Sequence, residues 1–166
     1  MFLPFPPPVL MRWLELKIPP LLWWLICVGL MWLLAQFWPL YHFSPTFTIW
    51  RIALAAGFIL IALLIGLAAV WRFRQAATTV HPMQLQRSTS LVQDGIFRYS
   101  RNPMYLAMLL GLAGVACWLA VLSVWLGLPL FLLLIQQYQI KPEERWMASR
   151  FGAEYQQYRQ QVRRWI

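Results

Sequence analysis

Charge is scarce in this chain. Only 11% of its 166 residues are charged, and 5 of them are acidic. A soluble globular domain carries about 25% charged residues, so an all-round aqueous surface is excluded. Cysteine is nearly absent too. Cys27 and Cys117 both sit in apolar runs, where they read as small buried hydrophobes and not as a disulfide framework. No four-ligand metal spacing occurs. No glycine-rich loop follows a strand-like run, which excludes a dinucleotide-binding sheet domain. Residues 1–10 are Pro-rich and uncharged, without the basic region and cleavage pattern of a signal peptide.

What remains is apolar: 61% of the chain, gathered into long runs. A helix of about 20 apolar residues crosses the hydrocarbon core. Two such segments cover 19–40 and 49–71, the second stopped by Arg72 and Arg74. The apolar stretch after Pro103 is too long for one span and reads as a helical hairpin with arms 103–118 and 123–140. Its turn falls near Leu119–Leu122, and Pro129 marks a kink or break in the second arm. Ala53, Ala56, Gly57, Gly66, Gly111 and Gly114 would let helices approach closely. These stripes suit packing within one bundle or between copies, so oligomeric state stays open.

Residues 73–101 differ. They hold polar groups and turn formers and are expected at the interface or along a cavity. From 141 to 166, Met147, Phe151, Tyr155, Tyr158, Val162 and Trp165 recur at helical spacing, which predicts an amphipathic helix on the membrane surface. Gly152 could break it. The expected fold is one all-α integral membrane domain: four transmembrane helices, a cytoplasmic connecting loop and a C-terminal amphipathic helix.

Charge sets the orientation. Four spans place 13 of the 14 Lys and Arg and all 5 acidic residues on one side, with only Arg51 opposite. The positive-inside rule makes that side cytoplasmic, with both termini there. The net charge of +9 suits anionic lipid headgroups better than nucleic acid. Trp13, Trp23, Trp24, Trp38, Trp50, Trp71 and Trp165 lie near segment ends, where amphipathic rings suit the headgroup zone.

Two polar clusters meet on the charged side. One runs from His81 to Arg101 and on to Asn102 and Tyr105. The other begins at Lys141. Arg101 and Tyr105 share a helix face, Asn102 could cap that helix and Pro103 suits its first turn. Alternatively Arg101 reaches a lipid phosphate and Tyr105 joins an aromatic belt. Glu143 and Glu144 could meet a cationic ligand, or pair with Lys141 and Arg145 on a solvated face. His81 could be an acid, a base, or a solvated loop residue.

The stretch LVQDGIFRYSRNPMYLAMLL, from Leu91 to Leu110, resembles the signature of the isoprenylcysteine carboxyl methyltransferase and phospholipid methyltransferase family. The upstream RQAATTVHPMQ and the downstream KPEERWMASRFGAEYQQYRQQVRRW are similar to the segments flanking that signature. The resemblance implies an integral membrane enzyme, of bacterial inner-membrane type, that uses S-adenosyl-L-methionine bound near the cytoplasmic face. Arg101, Asn102 and Tyr105 match an Arg-His-Pro-x-Tyr motif, with Asn102 where the isoprenylcysteine enzymes usually have His. Glu143 and Glu144 match the paired acidic motif. On this resemblance Arg101, Tyr105 and Glu144 are catalytic. His81, Leu91, Val92, Gly95, Asn102, Tyr105, Glu143 and Glu144 bind the cofactor. No metal is implied. The Gly-x-Gly motif of phosphatidylethanolamine methyltransferases is absent.

The acceptor expected from the resemblance is a lipophilic small molecule or prenylated substrate, specifically an isoprenylcysteine-type carboxylate. A lipid amine, a small thiol, a non-catalytic membrane scaffold and a sterol-reductase-like protein are the alternatives. The last normally has many more spans than 166 residues allow.

Overall fold

The computed structural model describes residues 14–43, 48–75 and 91–166. The readings placed on residues 1–10, Trp13 and His81 therefore lie outside the described residues.

Helix α1 spans Pro20–Phe37. Proline opens it because its fixed φ suits the first turn, where its missing N–H would have no partner anyway. Helix α2 spans Thr48–Gln75 and carries Arg72 and Arg74 in its last turn. It runs past the apolar segment 49–71, since cations favour a helix C-terminus and long side chains can reach water from there. Helix α3 spans Pro103–Leu119 and ends at Ala120, which adopts the left-handed conformation at φ 58°. The return helix starts as a 3-10 turn over Leu122–Leu126 and continues as α4, Gly127–Ile135. Pro129 lies in the first turn of α4, so the departure from α geometry precedes it.

Helix α4 does not end at the edge of the apolar run. A π-helical turn, Gln136–Ile140, carries it without a gap into α5, Lys141–Gln161. Pro142 supplies a reason. Inside a helix, proline has no N–H for the carbonyl four residues back, and its ring crowds that carbonyl. The carbonyl concerned belongs to Tyr138, and it accepts instead from the Leu16 N–H at 3.0 Å. The Lys141 N–H reaches five residues back to Gln136. Gly152, at φ 48° and ψ −118°, then kinks α5.

Three of these helical stretches are long and apolar enough to cross a membrane: Pro20–Phe37, Thr48–Gln75 and Leu122–Gln161. Helix α3 is apolar but has only 17 residues, or roughly 25 Å at the usual rise. Leu25 and Leu33 on α1 and Leu60, Leu63 and Leu67 on α2 are exposed, as a hydrocarbon surround requires.

The core lies between helices. Cys27, Met31, Leu112, Phe131 and Ile135 are fully buried. Lipid offers no hydrophobic drive to bring helices together, so close steric fit matters. A Cβ at Gly114 would lie 2.9 Å from Ile59 and 3.1 Å from the Ala55 carbonyl oxygen, so α2 and α3 approach there as only glycine permits. Gly66 faces Ala107, whereas Gly57 has nothing within 4 Å and packs no helix. Trp23 corrects the aromatic-belt reading. It is buried and stacks on Tyr138 at 5.4 Å, while Trp38, Trp50 and Trp71 are exposed.

The loops pair at one end. The Phe43 N–H donates to Ala120 (3.0 Å), the Leu122 N–H to Tyr41 (2.9 Å), and the Ser123 hydroxyl to Trp38 (2.7 Å). The charged groups that could do chemistry lie at the other.

Candidate active site

Three pieces of chain meet at the charged end: the start of α3, the start of α5 and the last residues after α5. Ser100 prepares α3. Its hydroxyl accepts the Asn102 N–H at 3.1 Å, and Pro103 supplies the first turn. Asn102 occupies the cap position but makes no side-chain cap bond, contrary to the sequence expectation. Its side-chain amide donates to the Arg164 carbonyl at 2.9 Å, and the Arg101 N–H donates to the Arg163 carbonyl at 3.1 Å. Asn102 thus clamps the tail through its side-chain amide N–H.

The tail brings a cation to Glu144. The Arg164 guanidinium donates from Nε (3.0 Å) and Nη2 (2.7 Å) to the two carboxylate oxygens. Arg101 approaches the same carboxylate at 3.2 Å, and its side chain is only 10% exposed. Arg101 also donates to the Tyr155 hydroxyl at 3.4 Å, yet its Nε is buried without a hydrogen-bond partner. Glu144 therefore lies between two arginines. Its bond pushes Arg164 above even the usual arginine range, so the cation is permanent. Burial, then the Glu144 charge, raise the Tyr155 hydroxyl against the opposing pull of Arg101 and Arg159.

Glu143, one residue earlier, faces another way. Tyr105 donates its hydroxyl to a Glu143 carboxylate oxygen. Part of the side chain reaches the surface, but the carboxyl itself is enclosed. Burial pushes it up to about 8, the Tyr105 hydrogen bond opposes this, and the neighbouring Glu144 charge adds to it. A carboxyl in that state is mostly protonated at neutral pH. The alternative of a solvated pairing with Lys141 and Arg145 is not what forms. Lys141 donates to Gln137 at 2.8 Å, and Arg145 pairs with Glu15.

Five sequence-predicted residues are thus brought together: Arg101, Asn102, Tyr105, Glu143 and Glu144. A cavity of about 260 Å³ opens beside them, with Glu144, Lys141, Arg145 and Arg159 in its wall. Leu91 and Val92 line a second cavity, of about 620 Å³, with Gln93, Arg98 and Tyr158. The two regions meet through Tyr155 and Tyr158, whose ring centroids are 6.4 Å apart; the Tyr158 hydroxyl donates to the Phe97 carbonyl at 2.7 Å. Gly95 plays a backbone part. At φ +59° it lets Arg72 pass over it, where a Cβ would lie 2.3 Å from Nε. Arg72 then reaches Asp94 at 3.3 Å.

The aromatic face of α5 is largely used within the protein. Tyr155, Tyr158 and Val162 are buried against one another and Leu91, and Trp165 packs on the main core. Sequence reasoning placed Tyr155 on this face without foreseeing its bond to Arg101. It missed Arg164 altogether, because adjacent arginines near a membrane read as lipid contacts. Buried Gln139 was missed as well; it donates to the Ile18 carbonyl at 2.6 Å and anchors the segment before α1.

Residues 50–154 match the phospholipid methyltransferase family. The chain belongs to that family. It is accordingly a membrane methyltransferase that depends on S-adenosylmethionine. An uncharacterized protein of Haemophilus influenzae (strain ATCC 51907 / DSM 11121 / KW20 / Rd) is 48% identical over 63 residues, covering 38% of this chain and all of that protein. No solved structure matches this phospholipid methyltransferase family member.

The donor set fits the cofactor. S-adenosylmethionine carries an ammonium, a carboxylate and a ribose. The site holds two carboxyls, Glu143 and Glu144, and the orphaned buried Nε of Arg101, groups of the chemical kind that such a ligand would need.

Proposed function

We propose that this methyltransferase esterifies a carboxylate on a lipophilic acceptor, with an isoprenylcysteine-type acid as the substrate class. The observation that carries this is the state of the site's bases. Glu144 is held by two guanidiniums, and the Glu143 carboxyl is taken up by the Tyr105 hydroxyl, so neither is free to strip a proton from an acceptor. An ammonium acceptor must lose a proton before it can react. A carboxylate has none to lose.

When bound, S-adenosylmethionine supplies an electrophilic methyl group on a sulfonium. Glu143 or Glu144 would hold its ammonium or ribose, and Asn102 keeps the tail closed over them. Leu91, Val92 and Gly95 shape the wall on the cofactor's side. Arg101 orients a carboxylate, of the acceptor or of the cofactor, through its unpaired edge. Tyr105 fixes the Glu143 rotamer and walls the acceptor. Alignment and exclusion of water, not covalent catalysis, carry the rate.

The same proposal includes four spans, with α3 as the short third one, both termini on the cytoplasmic side of a bacterial inner membrane, and α5 at its surface. The clustering of basic residues at one end supports that orientation. The acceptor then enters sideways from lipid.

Calorimetric titration of the detergent-purified protein with S-adenosylmethionine and S-adenosylhomocysteine comes first. One-site binding that weakens at least tenfold in Glu144→Gln is expected. Labelled methyl transfer to S-farnesylcysteine, but not to phosphatidylethanolamine or a small thiol, is expected next. Transfer to the amine or the thiol would refute the carboxylate assignment. No binding of either ligand by folded protein would favour a non-catalytic scaffold.

A further inference from the structure

A third cavity lies far from this site, and nothing in the methyltransferase reading uses it. It holds about 320 Å³ beneath the paired loops, between the N-terminal end of α2, the C-terminal end of α3 and the start of the return helix. Among the described residues its wall is apolar and aromatic, from Phe43, Trp50, Leu54, Cys117 and Trp125, with one exception: Arg51. The Nε of Arg51 is buried and has no hydrogen-bond partner among the described residues.

The position of Arg51 is set by α2. Trp50-Arg51 and Trp71-Arg72 are 21 residues apart (71 − 50 and 72 − 51) on one helix. At the usual rise that is roughly 32 Å, close to the thickness of the hydrocarbon core. The two Trp-Arg pairs therefore mark its two boundaries. Arg72 finds Asp94 at one of them. At the other, Arg51 lines an apolar hollow with its Nε unmatched. A cation partly withdrawn from water needs an anion beside it. An apolar wall next to that anion suits hydrocarbon, not water.

The geometry points to a bound anionic phospholipid in this cavity. Its phosphate would sit on Arg51, and the first carbons of one acyl chain would lie between Leu54, Cys117 and the rings of Trp50 and Trp125. Both requirements are met by one molecule of the surrounding leaflet. A free phosphate would satisfy only Arg51.

Native mass spectrometry of the full chain in detergent tests this, with phosphatidylglycerol, phosphatidylcholine and inorganic phosphate as probes. One phosphatidylglycerol should be retained at least tenfold more tightly than phosphatidylcholine. Arg51→Gln and the cavity-filling Leu54→Trp should each lose this preference, and Arg51→Lys should keep most of it. Thiol labelling gives an independent reading, because Cys117 lines the cavity while Cys27 is fully buried. Phosphatidylglycerol should slow labelling of Cys117 in the parent and not in Leu54→Trp. Equal retention of both lipids, or retention unchanged in folded Arg51→Gln and Leu54→Trp, would overturn the proposal. So would full displacement of the lipid by millimolar phosphate, which would mean a simple anion site.

Discussion

Arg164 grips Glu144 through both carboxylate oxygens, at 3.0 and 2.7 Å, although 20 residues separate them. The contact closes the tail over the start of α3 and leaves Glu144 with two cationic neighbours. Removing the anion should therefore cost more than removing one cation. Glu144→Gln should lower stability by about 2 kcal/mol, since the contacts with both arginines lose their negative charge and one acceptor oxygen. Arg164→Gln should cost about 1 kcal/mol, because Arg101 still serves Glu144. The double variant should cost less than the sum of the two. Thermal unfolding of all four proteins in one detergent completes the cycle. Strict additivity would mean that the pair is not coupled.

Glu143 should make cofactor binding depend on pH. Its carboxyl is raised to about 8, chiefly by burial. A bound cation favours the ionised form and expels the proton. Affinity for S-adenosylmethionine should then rise with pH and level off above about 8. Calorimetry at pH 7 in buffers of different ionisation enthalpy should show proton release, absent in Glu143→Gln. Stability should move the opposite way. The folded state holds this proton more tightly than the unfolded chain. Its contribution is full below the ordinary carboxylate value of 4.5, and it is lost as pH rises through about 8.

Tyr105→Phe removes the hydrogen bond that opposes this upward shift. The midpoint of the binding–pH profile should move to higher pH, and affinity at pH 7 should fall. A merely structural tyrosine would lower stability without moving the midpoint. Titration of the variant across the alkaline range separates the two.

Gly114→Ala should destabilise the bundle by about 1–2 kcal/mol, because its Cβ would press on the Ala55 carbonyl and Ile59. Gly29→Ala, with nothing within 4 Å, should be neutral or stabilise by up to about 1 kcal/mol. Melting temperatures of both variants test the assignment. A Gly114→Ala variant as stable as the parent would contradict the close α2–α3 approach.

Several features are legible in the residue order. Long apolar runs declare helices, because an unpaired backbone is intolerable in hydrocarbon. The family signature and the paired glutamates can be read one residue at a time. The turn at Ala120–Val121 lies within the stretch expected from segment length. Boundaries are less legible: α2 runs four residues past the expected 71, to Gln75, because hydropathy ends before hydrogen bonding does. The continuity of α4 into α5 is not legible, since Pro142 by pattern suggests a break.

The amino-acid order by itself determined that this is a multi-helix membrane protein of a methyltransferase family with its charge at one end. Composition and short motifs encode such properties locally. Which charge meets which was decided by tertiary structure alone. Glu143 and Glu144 are adjacent, yet one faces Tyr105 and the other Arg101 and Arg164. Successive helical residues project about 100° apart, and a π-helical turn just before them resets that direction. The partners lie 38 residues away for Tyr105, and 43 (144 − 101) and 20 for the two arginines. No local pattern spans such separations. The burial of the Nε atoms of Arg101 and Arg51 is likewise a product of packing, which alone decides where water cannot reach.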